Sequence, residues 1–271
     1  MKSKGQSLSG ALQSVFASSV IVICLVAGYL IYKYIMGDPS HFVDQNPEGH
    51  PMEGDYLGII YKGGYIVPVL IAVNLILLVF AVERFITTTR ANGRGRISSF
   101  VRKIQGLLNE DRVEEAMAAC DKQRGSLANV VRSGLVRYRD LQKDSTLPND
   151  QKVLSLQKDL EEATALELPM LSRNLVILST VASISVLIGL IGTVLGMIRA
   201  FAALATAGAP DALALATGIS EALVNTAFGI TGSTLAIIFY NYFSNKIDSM
   251  TYKIDEVNFS IAQTFASNLK G

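Results

Sequence analysis

Four stretches of this chain are long and apolar enough to cross a lipid bilayer, and that settles the class of fold before any finer pattern is read. They run from about Leu12 to Ile35, Gly63 to Val82, Asn174 to Ala205 and Ala212 to Phe243. Each meets or exceeds the roughly 20 residues that a spanning helix needs. Composition agrees, since half of the 271 residues are hydrophobic and only 17% are charged; no stretch has a disordered composition. The expectation is an all-α, polytopic membrane protein. The third and fourth segments exceed the bilayer's need and are expected to project from it as continuous helices.

Basic residues near span ends stay on the cytoplasmic side, which orients the chain. Lys2 and Lys4 place the N-terminus inside. The loop between the first two spans holds Asp38, Asp44, Glu48, Glu53 and Asp55 against Lys62 alone, which suits the outer side. Arg84, Arg90, Arg94 and Arg96 follow the second span and mark a return inside. Spans three and four are joined by a tight outer turn around Pro210 and Asp211, and Lys246 and Lys253 bring the C-terminus back to the cytoplasm. A cleaved secretory signal is the competing reading of the first span. The length of the apolar run, and the lack of a small-x-small cleavage site before Gly37, favour a retained helix. Cys24 in that span and Cys120 in the cytoplasmic part lie on opposite sides of this topology, so no disulfide framework is implied.

The chain divides into residues 1–62 (an additional helix with its outer loop), 63–83 (the second span), 84–170 (a cytoplasmic helical domain), 171–245 (a pair of long spans) and 246–271 (an amphipathic cytoplasmic helix). In the cytoplasmic domain Val113, Ala116, Met117 and Cys120 recur at helical spacing. Asn109 to Asp111 and Asp144 to Asp150 read as turns. Leu156, Leu160, Ala163 and Leu166 run towards the third span, with Pro169 as the expected kink. Beyond the fourth span Ile247, Met250, Ile254, Val257, Ile261 and Phe265 form an apolar stripe on a polar helix, expected to pack on the domain or on a neighbouring subunit.

Glu221 is the only carboxylate in the interior of the four spans. An acidic residue at mid-membrane costs about 2.5–3.5 kcal/mol on insertion scales, so it faces a partner, a cavity or an ion path. Gly189, Gly192 and Gly196 fall on one face of the third span, and Gly229 belongs to a similar small-residue face on the fourth; such faces let helices pack closely in lipid. Counted from the outer turn, Thr193 and Thr226 are 12 and 15 residues deep, hence at about the same level. A membrane threonine often bonds its own helix backbone. Two at matched depth, with Glu221 and Asn225 near and Ser233 and Ser183 further inward, favour a hydrated or partner-facing interior. Arg199, near the outer end of span three, can snorkel to the interface or pair with Glu221 or with a partner's acid, and snorkelling is the preferred reading. Two isolated histidines, His41 and His50, read as solvated loop residues, so no metal site is expected.

GLIGTVLGMIRAF (Gly189 to Phe201) and ATGISEALVNTAFGITGS (Ala216 to Ser233), followed by Phe239 to Asn241, resemble the paired signature of the MotA/TolQ/ExbB proton channel family. The Ile-Ser-Glu-Ala-Leu and Asn-Thr-Ala runs look like the ExbB/TolQ branch, most like ExbB. Gly63 to Pro68, Val82 to Phe85 and Glu114 to Cys120 are weaker matches. The resemblance covers about Gly63 to the C-terminus and leaves the first 60 residues as an added helix. It departs at Leu235, where the family often has a proline.

This resemblance implies a bacterial inner-membrane subunit with both termini cytoplasmic. Five copies would form a ring whose last two spans line a pore. Two ExbD-like single-span chains would insert there, and a TonB-like protein would transmit the motion to outer-membrane transport. Thr193, Thr226 and Glu221 map to the family's pore threonines and membrane glutamate. Protons are then the transported ion and no cofactor is needed. Spans three and four hold no further acid in their interior, so a relay requires a partner's titrating group or water. For Glu221 a packing or gating role is preferred to proton carriage. A TolQ-like envelope motor, a MotA-like or gliding stator, and a non-conducting membrane scaffold are the alternatives. Paired acids, metal-ligand spacing and nucleophile constellations are lacking, so an enzyme is not expected, nor is a nucleic-acid partner.

Overall fold

A computed structural model of the chain describes residues 3–47, 49–205 and 212–269, with side chains described from residue 17 onward. The expected turn around Pro210 and Asp211 lies outside these residues. Among the described residues the regular structure is helical, joined by turns and short loops, with one isolated bridge between Phe42 and Pro51. Four helical stretches have the length and composition to cross a membrane: Ala17–Met36, Gly64–Ala91, Asn149–Leu204 and Ala212–Asn268. The chain folds as two compact units, one of residues 1–82 and 176–240, the other of 83–175 and 241–271.

In the first unit, α1 (Ser3–Leu30) runs directly into a π-helical turn over Ile31–Met36, a feature that apolar periodicity did not signal. The wider turn shifts the side-chain register, and the Tyr32 ring stacks on Tyr61 at 4.7 Å while its hydroxyl donates to the Tyr61 carbonyl. Gly28 lies against α3 (Val67–Ala91): a Cβ there would come within 2.8 Å of the Pro68 carbonyl oxygen. Met36, Val67 and Ile71 then form a small core with Leu57, Ile60, Val224 and Phe228. The added N-terminal helix is thus built into this unit.

The loop between the first two spans is folded. Phe42 is fully buried, and Asp55 caps α2 (Tyr56–Tyr61) by accepting from the Leu57 and Gly58 amides at 2.9 and 3.2 Å. The same carboxylate meets His41 Nδ1 at 2.7 Å. That bond, with the two amides, holds the Asp55 carboxyl below its ordinary range. His41 is therefore a held residue rather than a solvated one, whereas the His50 side is exposed.

The second unit contains α4 (Ile97–Asn109), α5 (Val113–Gln123), α6 (Ser126–Lys143), α7 (Asn149–Ser172) and the last part of α9 (Ala212–Asn268). The turns fall where Asn109 to Asp111 and Asp144 to Asp150 suggested. Every member of the stripe Ile247, Met250, Ile254, Val257, Ile261 and Phe265 is buried. Its partner is the chain's own helical domain: Tyr138 meets Phe265 with ring centres 4.6 Å apart, and Asn258 donates to Thr164 Oγ1 at 2.9 Å. On α7 the inward face is Lys152, Leu156, Leu160 and Thr164, at four-residue steps, while Leu166 is 63% exposed.

Two expectations about the long helices separate. The fourth is a single 57-residue helix, α9, which runs on through Leu235. The third is interrupted: Pro169 sits inside α7, and the break comes at Arg173 and Asn174, before α8 (Leu175–Leu204). Asn174 has φ of 61°, the left-handed conformation that asparagine tolerates at helix ends. Arg84 closes this break. It is 2% exposed, its guanidinium forks onto Glu83 at 2.6 and 2.7 Å, and it donates to the Leu171 carbonyl at 3.1 Å.

Candidate functional site: a polar seam through the membrane unit

Small residues on α8 and α9 set the geometry of the seam. A Cβ on Gly189 would meet the Asn225 carbonyl oxygen at 2.9 Å, one on Gly229 the Ser185 carbonyl oxygen at 2.8 Å, and one on Gly196 the Gly218 carbonyl oxygen at 2.8 Å. The two backbones thus touch along most of their shared length, an approach only glycine permits. Gly192 serves a different neighbour: its missing side chain makes room for Asn225, whose Cβ would lie 2.5 Å from a Cβ at 192.

Polar side chains occupy this seam in tiers. At one, Thr193 and Thr226 are hydrogen-bonded hydroxyl to hydroxyl, and Thr193 also donates towards the Gly189 and Ala222 carbonyls at 3.1 and 3.4 Å. Both threonines are half-buried, so the pair is linked across the helices and still reachable from one side. At another, Asn225 is fully buried and donates its amide to the Gly63 carbonyl at 2.9 Å, tying α9 to the turn that precedes α3; its Oδ1 has no hydrogen-bond partner among the described residues. Ser233 donates to the Ala182 carbonyl on the opposite helix at 2.5 Å. Ser183 donates to Ser179 on its own helix at 3.3 Å and faces outward, apart from the others.

Glu221 is 4% exposed, and its two oxygens accept from Arg199 Nη1 at 2.6 and 2.7 Å. The snorkelling expected of Arg199 is therefore corrected: a carboxylate taken out of water draws the nearest cation to itself, and the guanidinium stays there with the Tyr65 ring 5.5 Å away. The backbone completes the enclosure. Gly64 has φ of 78°, and a Cβ on it would fall 2.1 Å from Glu221 Oε1. Glycine is required here twice, for the left-handed conformation and for the contact with the carboxylate.

Sequence reasoning brought Thr193, Thr226, Glu221 and Asn225 into one region, but it missed Gly63, Gly64, Tyr65 and Asn74 on the second span and Ser185 on the third. The Gly63-Gly64 pair just before an apolar run was the available signal for the first two. Among the described residues no group of three or more His, Cys, Asp or Glu side chains is placed to hold a metal ion. Chemically, the seam offers hydroxyls that donate and accept, one neutralised carboxylate, and a buried amide.

Residues 124–256 match the MotA/TolQ/ExbB proton channel family. The chain is 41% identical to the ExbB-like 3 protein of Synechocystis over 86 residues, 31% of this chain and 41% of that relative. It is 31% identical to the Tol-Pal system protein TolQ of Pseudomonas aeruginosa over 121 residues, 45% of this chain and 52% of that one. It is also 35% identical to the biopolymer transport protein ExbB of Salmonella typhimurium over 80 residues, 30% and 33% of the two chains. The matched stretches thus span about half or less of these relatives' lengths.

Proposed function

This multi-pass membrane chain carries a MotA/TolQ/ExbB proton channel family domain, and from that premise we propose that it is the ExbB-like subunit of a proton-driven motor in the bacterial inner membrane. Both termini are cytoplasmic in this reading. Five copies surround two ExbD-like single-span chains, and a TonB-like protein carries the resulting motion to the outer membrane. Protons are the transported ion, and no cofactor takes part.

The observation that supports this most is the Thr193–Thr226 pair. Its hydroxyls lie at one level on two closely packed helices, half-buried within the chain. A hydroxyl both donates and accepts, so the pair is suited to pass a hydrogen bond to a titrating group on another chain without fixing a charge. Glu221 acts as a packing residue in this account, since Arg199 already neutralises it. A TolQ-like role is supported to the same degree by the relative of that name.

The test is co-purification with the single-span protein encoded beside this chain, with native mass spectrometry of the complex. A five-to-two assembly whose partner has one membrane aspartate is expected. A homo-oligomer without such a partner favours a non-conducting scaffold instead. Depletion phenotypes then separate outer-membrane uptake from envelope constriction.

A further inference from the structure

One hydroxyl on the seam is left unpaired among the described residues. Ser185 Oγ, on α8, belongs to a fully buried residue and makes no hydrogen bond to any of them. Its surroundings show where it points. A Cβ built on Gly232 of α9 would lie 2.5 Å from Ser185 Oγ, 2.8 Å from Asn74 Oδ1 and 3.1 Å from Asn74 Nδ2. A hydroxyl from α8 and an amide from α3 therefore converge beside the bare face of a glycine on α9, yet do not bond each other. The orientation of Asn74 is fixed, because its Nδ2 donates to the Leu70 carbonyl at 2.8 Å.

An unsatisfied hydroxyl at this depth is costly, and buried polar groups in native proteins nearly always have a partner, often ordered water. Burial decides the size of that partner. Ser185 is enclosed by a single copy of the chain, so neither a second subunit nor a lipid reaches it. Donor and acceptor character decides its kind. Oδ1 accepts, the serine hydroxyl does both, and an amide N–H borders the same space, a mixed set that suits water and disfavours a metal cation.

We propose that one ordered water molecule sits where α3, α8 and α9 meet, held by Asn74 and Ser185 beside Gly232, and that it staples the second span to the two long helices. Buried waters with this number of polar neighbours are regular parts of folded proteins. Gly232 lets the Ser185 hydroxyl and the Asn74 amide close on the α9 backbone from two helices, unlike Gly189 and Gly229, which serve backbone contact.

Two measurements on the full chain in lipid test this. A structure that resolves ordered solvent should show density within hydrogen-bond distance of both Ser185 Oγ and Asn74 Oδ1. A serine rotated onto the carbonyl four residues earlier, with no density beside it, overturns the proposal. Independently, Ser185→Ala and Asn74→Ala should each lower the melting temperature by on the order of 2–4 °C, and the double variant by little more than either alone, because both lose the same bridge. Fully additive losses overturn it as well.

Discussion

Replacing Arg199 with leucine should damage this protein more than neutralising its partner, an asymmetry that follows from where the two side chains sit. Glu221 is 6% exposed at its side chain and Arg199 is 47% exposed. Losing the cation strands a carboxylate out of water, and breaking a fully buried pair in this way costs about 3–5 kcal/mol. With the arginine half in solvent, the lower end, about 3 kcal/mol, is the appropriate figure. Glu221→Gln is milder. The amide oxygen still accepts from Nη1, the guanidinium keeps its solvent and the Tyr65 ring, and the loss is the difference between a charged and a neutral hydrogen bond, about 1 kcal/mol. Removing both charges in Arg199→Leu with Glu221→Leu should recover most of the loss. At about 2–4 °C per kcal/mol, thermal melting in lipid nanodiscs should show a drop of roughly 6–12 °C for Arg199→Leu and a few degrees for Glu221→Gln. Energised uptake should likewise fall further in Glu221→Ala than in Glu221→Gln. Equal loss of uptake in those two variants points to titration of Glu221, and additive melting shifts in the double variant refute the pairing argument outright.

Thr226→Val and Thr193→Val each keep the shape but remove a hydroxyl of the cross-helix pair, and should abolish energised uptake with the assembly intact by native mass spectrometry; normal uptake in both removes them from the pathway. Gly64→Ala forces a side chain into the left-handed region at about 1–2 kcal/mol and into the Glu221 carboxylate, so its melting temperature should fall further than that of Gly106→Ala, where nothing lies within 4 Å of the added carbon. Burial pushes the Cys120 thiol up to about 12 from 9.0, so alkylation by iodoacetamide at pH 8 should be slow until the protein is denatured. The linked stability is whole below pH 9 and is lost as pH rises towards about 12, which pH-dependent melting of Cys120→Ala against the parent chain checks.

Much of this architecture is legible from residue order because it depends on periodicity alone. The stripe from Ile247 to Phe265 repeats at three and four residues, and every position is buried. Span lengths follow from the bilayer, and the matched depth of Thr193 and Thr226 from helical rise. The unforeseen features depend on partners distant in sequence. For Arg199 the residue order leaves snorkelling and a pair with Glu221, 22 residues later, both open, and only the enclosure of that carboxylate decides for the pair. Arg84 reads as an orientation signal until its contact with Leu171 shows that it closes a helix end 87 residues away. The π turn at Ile31 to Met36 has no periodic signature, since one extra residue in a turn is decided by the ring that Tyr32 stacks upon.

The hydrogen-bond inventory of the seam bears on how a proton would cross. Glu221 is neutralised by Arg199, Asn225 gives its amide to Gly63, Ser233 bonds Ala182, and Thr193 and Thr226 bond each other. Bonds of this kind rigidify the subunit, with Asn225 Oδ1 left unpaired among the described residues. Among these groups Thr193, Thr226 and Ser233 are half-buried hydroxyls, and the two threonines, bonded to each other, can trade one hydrogen bond for another at no cost in charge,. A site that must take up and release a proton on each cycle requires a carboxyl free of a permanent cation, and the one carboxylate in this seam has such a cation beside it. The proposed division of labour follows: this chain supplies a stiff, polar but uncharged wall, and the titrating acid belongs to a helix that moves along it.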